Sequence, residues 1–135
     1  MTFFTWSDRY SVGIRRIDEQ HRELVNLLNR LYEAMYQGHG RDALGKVLDG
    51  LIRYTARHFA AEEELMRRHG YGAFESHREK HRKMAEKVAS LQARYRSGEI
   101  SSPVQISNFL KGWLTQHIME TDKAFGGFLV GKGER

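Results

Sequence analysis

The sequence predicts an all-α protein: an antiparallel up-down-up-down four-helix bundle preceded by an extended N-terminal arm. Three observations carry that expectation. Apolar residues recur every three or four positions through four long stretches. Glycines, with a single proline, punctuate the chain between those stretches. No stretch of useful length alternates apolar and polar residues with the two-residue period of a strand.

The elements follow in order. The first sixteen residues, with Phe3, Phe4, Trp6, Tyr10 and Val12, read as an arm whose aromatics cover one end or flank of the domain. A first helix begins near Asp18, a fair N-cap, and spans about 18–37, with Leu24, Leu28, Leu31 and Met35 on one stripe. Gly38 and Gly40 end it. A second helix spans about 42–69, with Leu44, Val47, Leu48, Leu51, Tyr54 and Thr55 toward a common side, and Gly70 and Gly72 stop it. A third spans about 73–97, carries Met84, Val88, Leu91 and Tyr95, and stops at Gly98. Ser102-Pro103, a hydroxyl cap before a proline at the first helical position, opens a fourth helix over about 103–129. That helix carries Val104, Ile106, Phe109, Leu110, Trp113, Leu114, Phe125 and Leu129. Short turns between amphipathic helices make neighbours antiparallel, and the 135 residues form one domain.

Composition removes several function classes. Hydrophobic residues make up 40% and charged residues 29%, the balance of a soluble globular chain. There is no membrane-length apolar run, and the opening residues lack the basic head and apolar stretch of a signal peptide, so a cytoplasmic location is expected. Cysteine is absent, which leaves imidazole and carboxylate as the donors for any metal. The net charge is +5, yet Lys and Arg are interspersed with Asp and Glu, so no nucleic-acid partner is expected.

Placement of the histidines and acids carries the chemistry. His58 and Glu62, four apart, share a face of the second helix that continues its apolar stripe. His77 and His81 do the same in the third helix. His117 follows Trp113 and Leu114 inward on the fourth, and His21 precedes Leu24 inward on the first. In an antiparallel bundle all five imidazoles fall at one depth. A single inward histidine is more often a hydrogen-bonded core residue. Five of them with a carboxylate are costly to bury unless a cation satisfies them together. Asp122 is less regular: five residues past His117 is about 140 degrees around an α-helix, so it shares that face only if the local ladder loosens. Preferring it over Glu120 rests partly on the resemblance given next.

Two six-coordinate metals offer twelve positions. Five histidines, two bridging carboxylates and a bridging oxide or hydroxide fill eleven and leave one open for a small ligand. Imidazole and carboxylate suit iron, with manganese or a mixed pair as the alternative, whereas zinc commonly takes four ligands and has no redox chemistry.

Four segments, in this order and at this spacing, resemble the hemerythrin family, and its single-domain bacterial members in particular. They are Ile17-Asp18-Glu19-Gln20-His21, His58-Phe59-Ala60-Ala61-Glu62, His77-Arg78-Glu79-Lys80-His81 and His117-Ile118-Met119-Glu120-Thr121-Asp122. Trp6 followed by Val12-Gly13-Ile14 resembles that family's N-terminal arm. The resemblance implies two iron ions: one held by His77, His81 and His117, the other, with the vacancy, by His21 and His58, and both bridged by Glu62 and Asp122. It implies that Phe59, Trp113 and Leu114, with Leu24 close by, line a pocket for dioxygen. The expected function is reversible dioxygen binding at a non-haem diiron centre for intracellular storage or delivery, and not an enzyme. The alternatives are an oxygen or redox sensor acting through a separate partner, and a diiron enzyme acting on peroxide or nitric oxide. A monomer is expected, with room for a redox or delivery partner. Glu63 and Glu64 are expected at the solvated edge, and His39 and His69 outside the ligand set. Tyr54, Tyr32 or a backbone carbonyl is expected to orient ring nitrogens.

Overall fold

The computed structural model describes residues 3–38, 41–99 and 104–135. His39, Gly40 and the Ser102-Pro103 start signal lie outside the described residues. An arm broken by a 3₁₀ turn at Asp8–Tyr10 leads into α1 (Arg15–Tyr36), α2 (Arg41–His69) and α3 (Phe74–Arg96). The fourth column is compound. It comprises α4 (Val104–Gln116), a π-helical segment (His117–Asp122) and α5 (Lys123–Gly131), without a break. α1 packs on α2 and α4, and α2 on α3. The result is a four-helix bundle with an N-terminal extension.

Two sequence expectations need correction. Helix α1 starts at Arg15, three residues before Asp18. Asp18 sits inside the first turn, where its charge favours the helix N-terminus, and its carboxylate holds the arm. The Ser11 hydroxyl donates to one of its oxygens (2.5 Å) and the Val12 amide to the other (2.8 Å). The fourth helix is α-helical only on either side of the π segment, and Val104 at its start is exposed rather than in the stripe.

The other stripes close a core. Leu24, Leu28 and Leu31 of α1, Leu44, Leu48 and Leu51 of α2, Met84, Val88, Leu91 and Tyr95 of α3, and Ile106, Leu110, Leu114, Phe125 and Leu129 of the fourth column are all buried. At about 25 cal/mol per Å² of apolar surface removed from water, this packing is the main force holding the bundle. Helix α2 ends where Gly70 takes φ +63°, a region that costs a side-chained residue and not glycine. Tyr71 N–H then bonds back to Met66 O (3.0 Å) and Gly70 N–H to Arg67 O (3.3 Å), closing the helix end. Gly98, at φ +87°, ends α3 in the same region.

The arm is seated, not loose. Asn29 of α1 and the Phe4 backbone exchange two hydrogen bonds (2.9 and 2.8 Å), and Lys111 of α4 donates to the Phe3 carbonyl (2.7 Å). Phe4 and Val12 are buried. Among the described helices none is long and apolar enough to cross a membrane.

Candidate metal centre

All seven predicted donors are buried and meet at one level of the bundle: His21 from α1, His58 and Glu62 from α2, His77 and His81 from α3, and His117 and Asp122 from the π segment. Asp122 reaches this level because the π segment replaces the regular ladder. Its i→i+5 bonding brings residues five apart toward one side, so His117 Nε2 and Asp122 Oδ1 stand 3.0 Å apart. The sequence offset that looks wrong for an α-helix is right for this turn.

The donor atoms fall into two groups. Glu62, His77, His81, His117 and Asp122 form one, and His21, His58, Glu62 and Asp122 the other; within each, the atoms lie within 4.8 Å of one another. Both carboxylates belong to both groups, and they are split between them oxygen by oxygen. Glu62 Oε1 faces His81 Nε2 (3.2 Å) and His77 Nε2 (3.6 Å), whereas Oε2 faces His58 Nε2 (3.6 Å) and His21 Nε2 (3.8 Å). Asp122 Oδ1 faces His77 and His117 (3.0 Å each), and Oδ2 faces His21 (3.0 Å).

These close approaches do not satisfy the groups as hydrogen bonds. Both oxygens of Glu62, both oxygens of Asp122, both ring nitrogens of His21 and the Nε2 of His58 lack a hydrogen-bond partner while fully enclosed. His117 Nε2 stands 3.2 Å from the Nε2 atoms of both His77 and His81. Ring nitrogens at right angles on one first-row ion at about 2.1 Å would stand about 3.0 Å apart. Buried polar atoms that converge without pairing are expensive, and a cation at each group satisfies them together. The residues therefore fit a pair of metal ions.

The electrostatics agree. Burial works against charge on His21, His58, Glu62, His77, His117 and Asp122. It wins at His58, whose pKa falls to about 4, and at His117, which also falls. At His77 it is outweighed by the facing carboxylates of Asp122 and Glu62, and the pKa rises to about 9; His21 rises against burial through Asp122. Glu62 is pushed up by burial and by Asp122, yet His58, His77 and His81 hold it down at about 2. Asp122, against its burial, is held well below the usual range by His117, His21 and His77. Two ionised carboxylates are thus maintained in a dry site.

An apolar wall closes the side toward the core. The Phe59 ring stacks on His81 (3.8 Å between centroids) and Trp113 on His117 (4.3 Å). Beyond them lies a cavity of about 20 Å³ bounded in part by Leu24, Phe59, Trp113 and Leu114. That volume admits about one small molecule. Thr55 also borders it, but its hydroxyl donates to the Leu51 carbonyl (2.8 Å).

Two polar residues at this site have roles that sequence reasoning did not assign. His58 Nδ1–H donates to Gln20 Oε1 (2.7 Å), and His81 Nδ1–H donates to Glu63 (2.9 Å). Glu63 does lie at the edge, as expected, and reaches inward from there. Neither expected tyrosine takes this role: Tyr32 stacks on Phe3 (4.5 Å), and Tyr54 packs on the periphery of the core. Only proximity in the fold identifies Gln20, although it immediately precedes His21. His69 stands outside both groups, 3.3 Å from Glu134.

Comparison with known proteins gives the same picture over most of the chain. The model of the hemerythrin HHE cation-binding domain matches residues 12–129. Bacteriohemerythrin of Stenotrophomonas maltophilia is 37% identical over 93% of this chain and 80% of that protein. Bacteriohemerythrin of Methylococcus capsulatus is 32% identical over 93% of this chain and 96% of its own length. A wild-type hemerythrin crystal structure superposes with a TM-score of 0.88 at 31% identity, covering 93% of this chain and 97% of the other. With donors, fold and sequence in agreement along its length, the chain belongs to the hemerythrin family.

Proposed function

We propose that residues 1–135 form a single oxygen-carrying domain that binds dioxygen reversibly at two iron ions, for storage or delivery inside the cell. The observation that carries this reading is the oxygen-by-oxygen division of Glu62 and Asp122 between two histidine groups beside a small apolar cavity. In this reading His77, His81 and His117 hold one ion, His21 and His58 hold the other, and Glu62 and Asp122 span both. An oxide or hydroxide bridge completes the pair. A reduced iron pair supplies two electrons to dioxygen on binding and recovers them on release.

The protein's own side chains do the rest. Glu62 and Asp122 offset part of the positive charge of the pair. With fewer histidines, the His21–His58 group has the position for a ligand. Leu24, Phe59, Trp113 and Leu114 line the approach, admit a small apolar molecule and exclude water. They offer no general acid or base, which favours binding over turnover.

The test is a cycle. Iron-loaded, reduced protein is exposed to dioxygen and then degassed while its visible spectrum is followed. Bands that appear and vanish over repeated cycles support the reading. A spectrum unmoved by dioxygen in protein holding two ferrous ions contradicts it, and one-way oxidation with product formation assigns an enzyme instead.

A further inference from the structure

The two histidine groups differ beyond their number of rings. Each contains one ring anchored by a side chain outside the donor set, and the two anchors differ in charge. On the three-histidine side, Glu63 accepts from His81 Nδ1–H at 2.9 Å. On the two-histidine side, Gln20 accepts from His58 Nδ1–H at 2.7 Å. In each case the acceptor fixes the proton on Nδ1 and leaves the Nε2 lone pair facing inward, the tautomer a metal needs. Neither His21 Nδ1 nor His77 Nδ1 has a hydrogen-bond partner.

A carboxylate and an amide are not equivalent acceptors. A hydrogen bond to an ionised acceptor is roughly twice as strong as one to a neutral acceptor, and it draws the N–H proton away from the ring. The ring left behind is a stronger donor at Nε2. Phe59 stacks flat on His81, with 8° between the planes, and holds the ring in the orientation that directs Nδ1 at Glu63. Glu63 lies partly in solvent, at the wall of a surface groove that includes Phe59, Arg78, Arg82 and His81. Its charge is therefore partly screened, and its effect passes chiefly through the ring it touches.

We propose that Glu63 and Gln20 are positioning residues that make the two iron positions electronically unequal: Glu63 enriches the three-histidine ion through His81, and Gln20 orients His58 without adding charge. The inequality gives the pair a fixed division of labour. The ion that already carries more protein donors is favoured in the higher oxidation state, and the ion held by His21 and His58 is left readier to release its ligand. This rests on the diiron reading above.

The experiment pairs two charge changes that preserve an acceptor, Glu63→Gln and Gln20→Glu, in the full chain loaded with iron. Iron content and the midpoint potential of the pair are measured on each. Wild-type protein holding two irons per chain is the condition for the diiron reading; less than that overturns the reading itself rather than the assignment of anchors. With it met, Glu63→Gln shifts the potential upward and weakens iron retention against a chelator by no more than about tenfold. Gln20→Glu shifts the potential downward. Unshifted potentials in both variants, or shifts of the same sign, overturn the proposal. Should Glu63→Gln fail to hold iron, Gln20→Glu decides alone: a downward shift supports the proposal and none overturns it. In metal-free protein, ¹⁵N chemical shifts of the His58 and His81 rings provide an independent readout. Protons on Nδ1 in both support the assignment, and a proton on Nε2 in either one overturns it.

Discussion

Each shared carboxylate gives one oxygen to each histidine group, so the two kinds of donor should fail differently when removed. Glu62→Ala takes a donor from both groups and removes the charge that balances the ions. Iron content should drop from two per chain to below one, with affinity falling by more than the roughly 10–100-fold that loss of an outer hydrogen-bond partner costs. His58→Ala takes a donor from one group only, so the three-histidine ion should remain. Metal analysis after gel filtration distinguishes the two, and equal iron contents in both variants would contradict the shared-bridge geometry. His58 is also the ring whose burial drives its pKa to about 4. It is neutral at ordinary pH and ready for a metal without first losing a proton.

At the scale of elements, the fourth column decides the site. Its π segment delivers His117 and Asp122 together, and α5 beyond it receives the arm at Gly126. A Cβ at Gly126 would stand 2.1 Å from the Val12 carbonyl oxygen and 2.8 Å from the Val12 Cβ. Gly126→Ala should therefore displace the arm and destabilise the protein by about 1–3 kcal/mol, the usual cost of overpacking. Denaturant unfolding measures this, and an unchanged midpoint would show that the arm is not held there. The helices themselves were legible in the sequence, because the stripes through Leu24–Leu31, Leu44–Leu51 and Met84–Tyr95 report burial directly. The start of α1 was misplaced because Asp18 has the composition of a cap but spends both oxygens on Ser11 and Val12. The π segment was hidden for a different reason: a wider turn leaves no mark in local apolar spacing. Only the five-residue offset from His117 to Asp122 hints at it. The anchors Gln20 and Glu63 depend on partners 38 and 18 residues away in the chain, beyond the reach of any local pattern.

For the whole molecule, gathering seven ionisable groups in one dry layer couples stability to pH. In the metal-free protein, His58 has a folded pKa of about 4 against 6.5 in a free ring, so the unfolded chain takes up its proton first. Stability therefore falls as pH drops from about 6.5 toward 4. Glu62, at about 2 against 4.5, adds stability that is present above 4.5 and lost as pH falls toward 2. His77 has the opposite sign. Its pKa of about 9 gives stability that is full below 6.5 and lost as pH rises through 9. Thermal unfolding of metal-free protein should thus show a maximum near neutral pH, and His77→Gln should make the alkaline limb shallower. A wild-type alkaline limb that is already flat would contradict this account of His77. Bound iron should reverse the alkaline trend, because it would take the place of the protons that His77 and His21 otherwise hold.

On the proposed function, two irons in one chain share one dioxygen and give it back. Gas uptake by the fully reduced, iron-loaded protein tests it most directly. One dioxygen should be taken up per two irons and recovered in full when the gas phase is exchanged for argon. Uptake that cannot be recovered, or no uptake by protein containing two ferrous ions per chain, would contradict it.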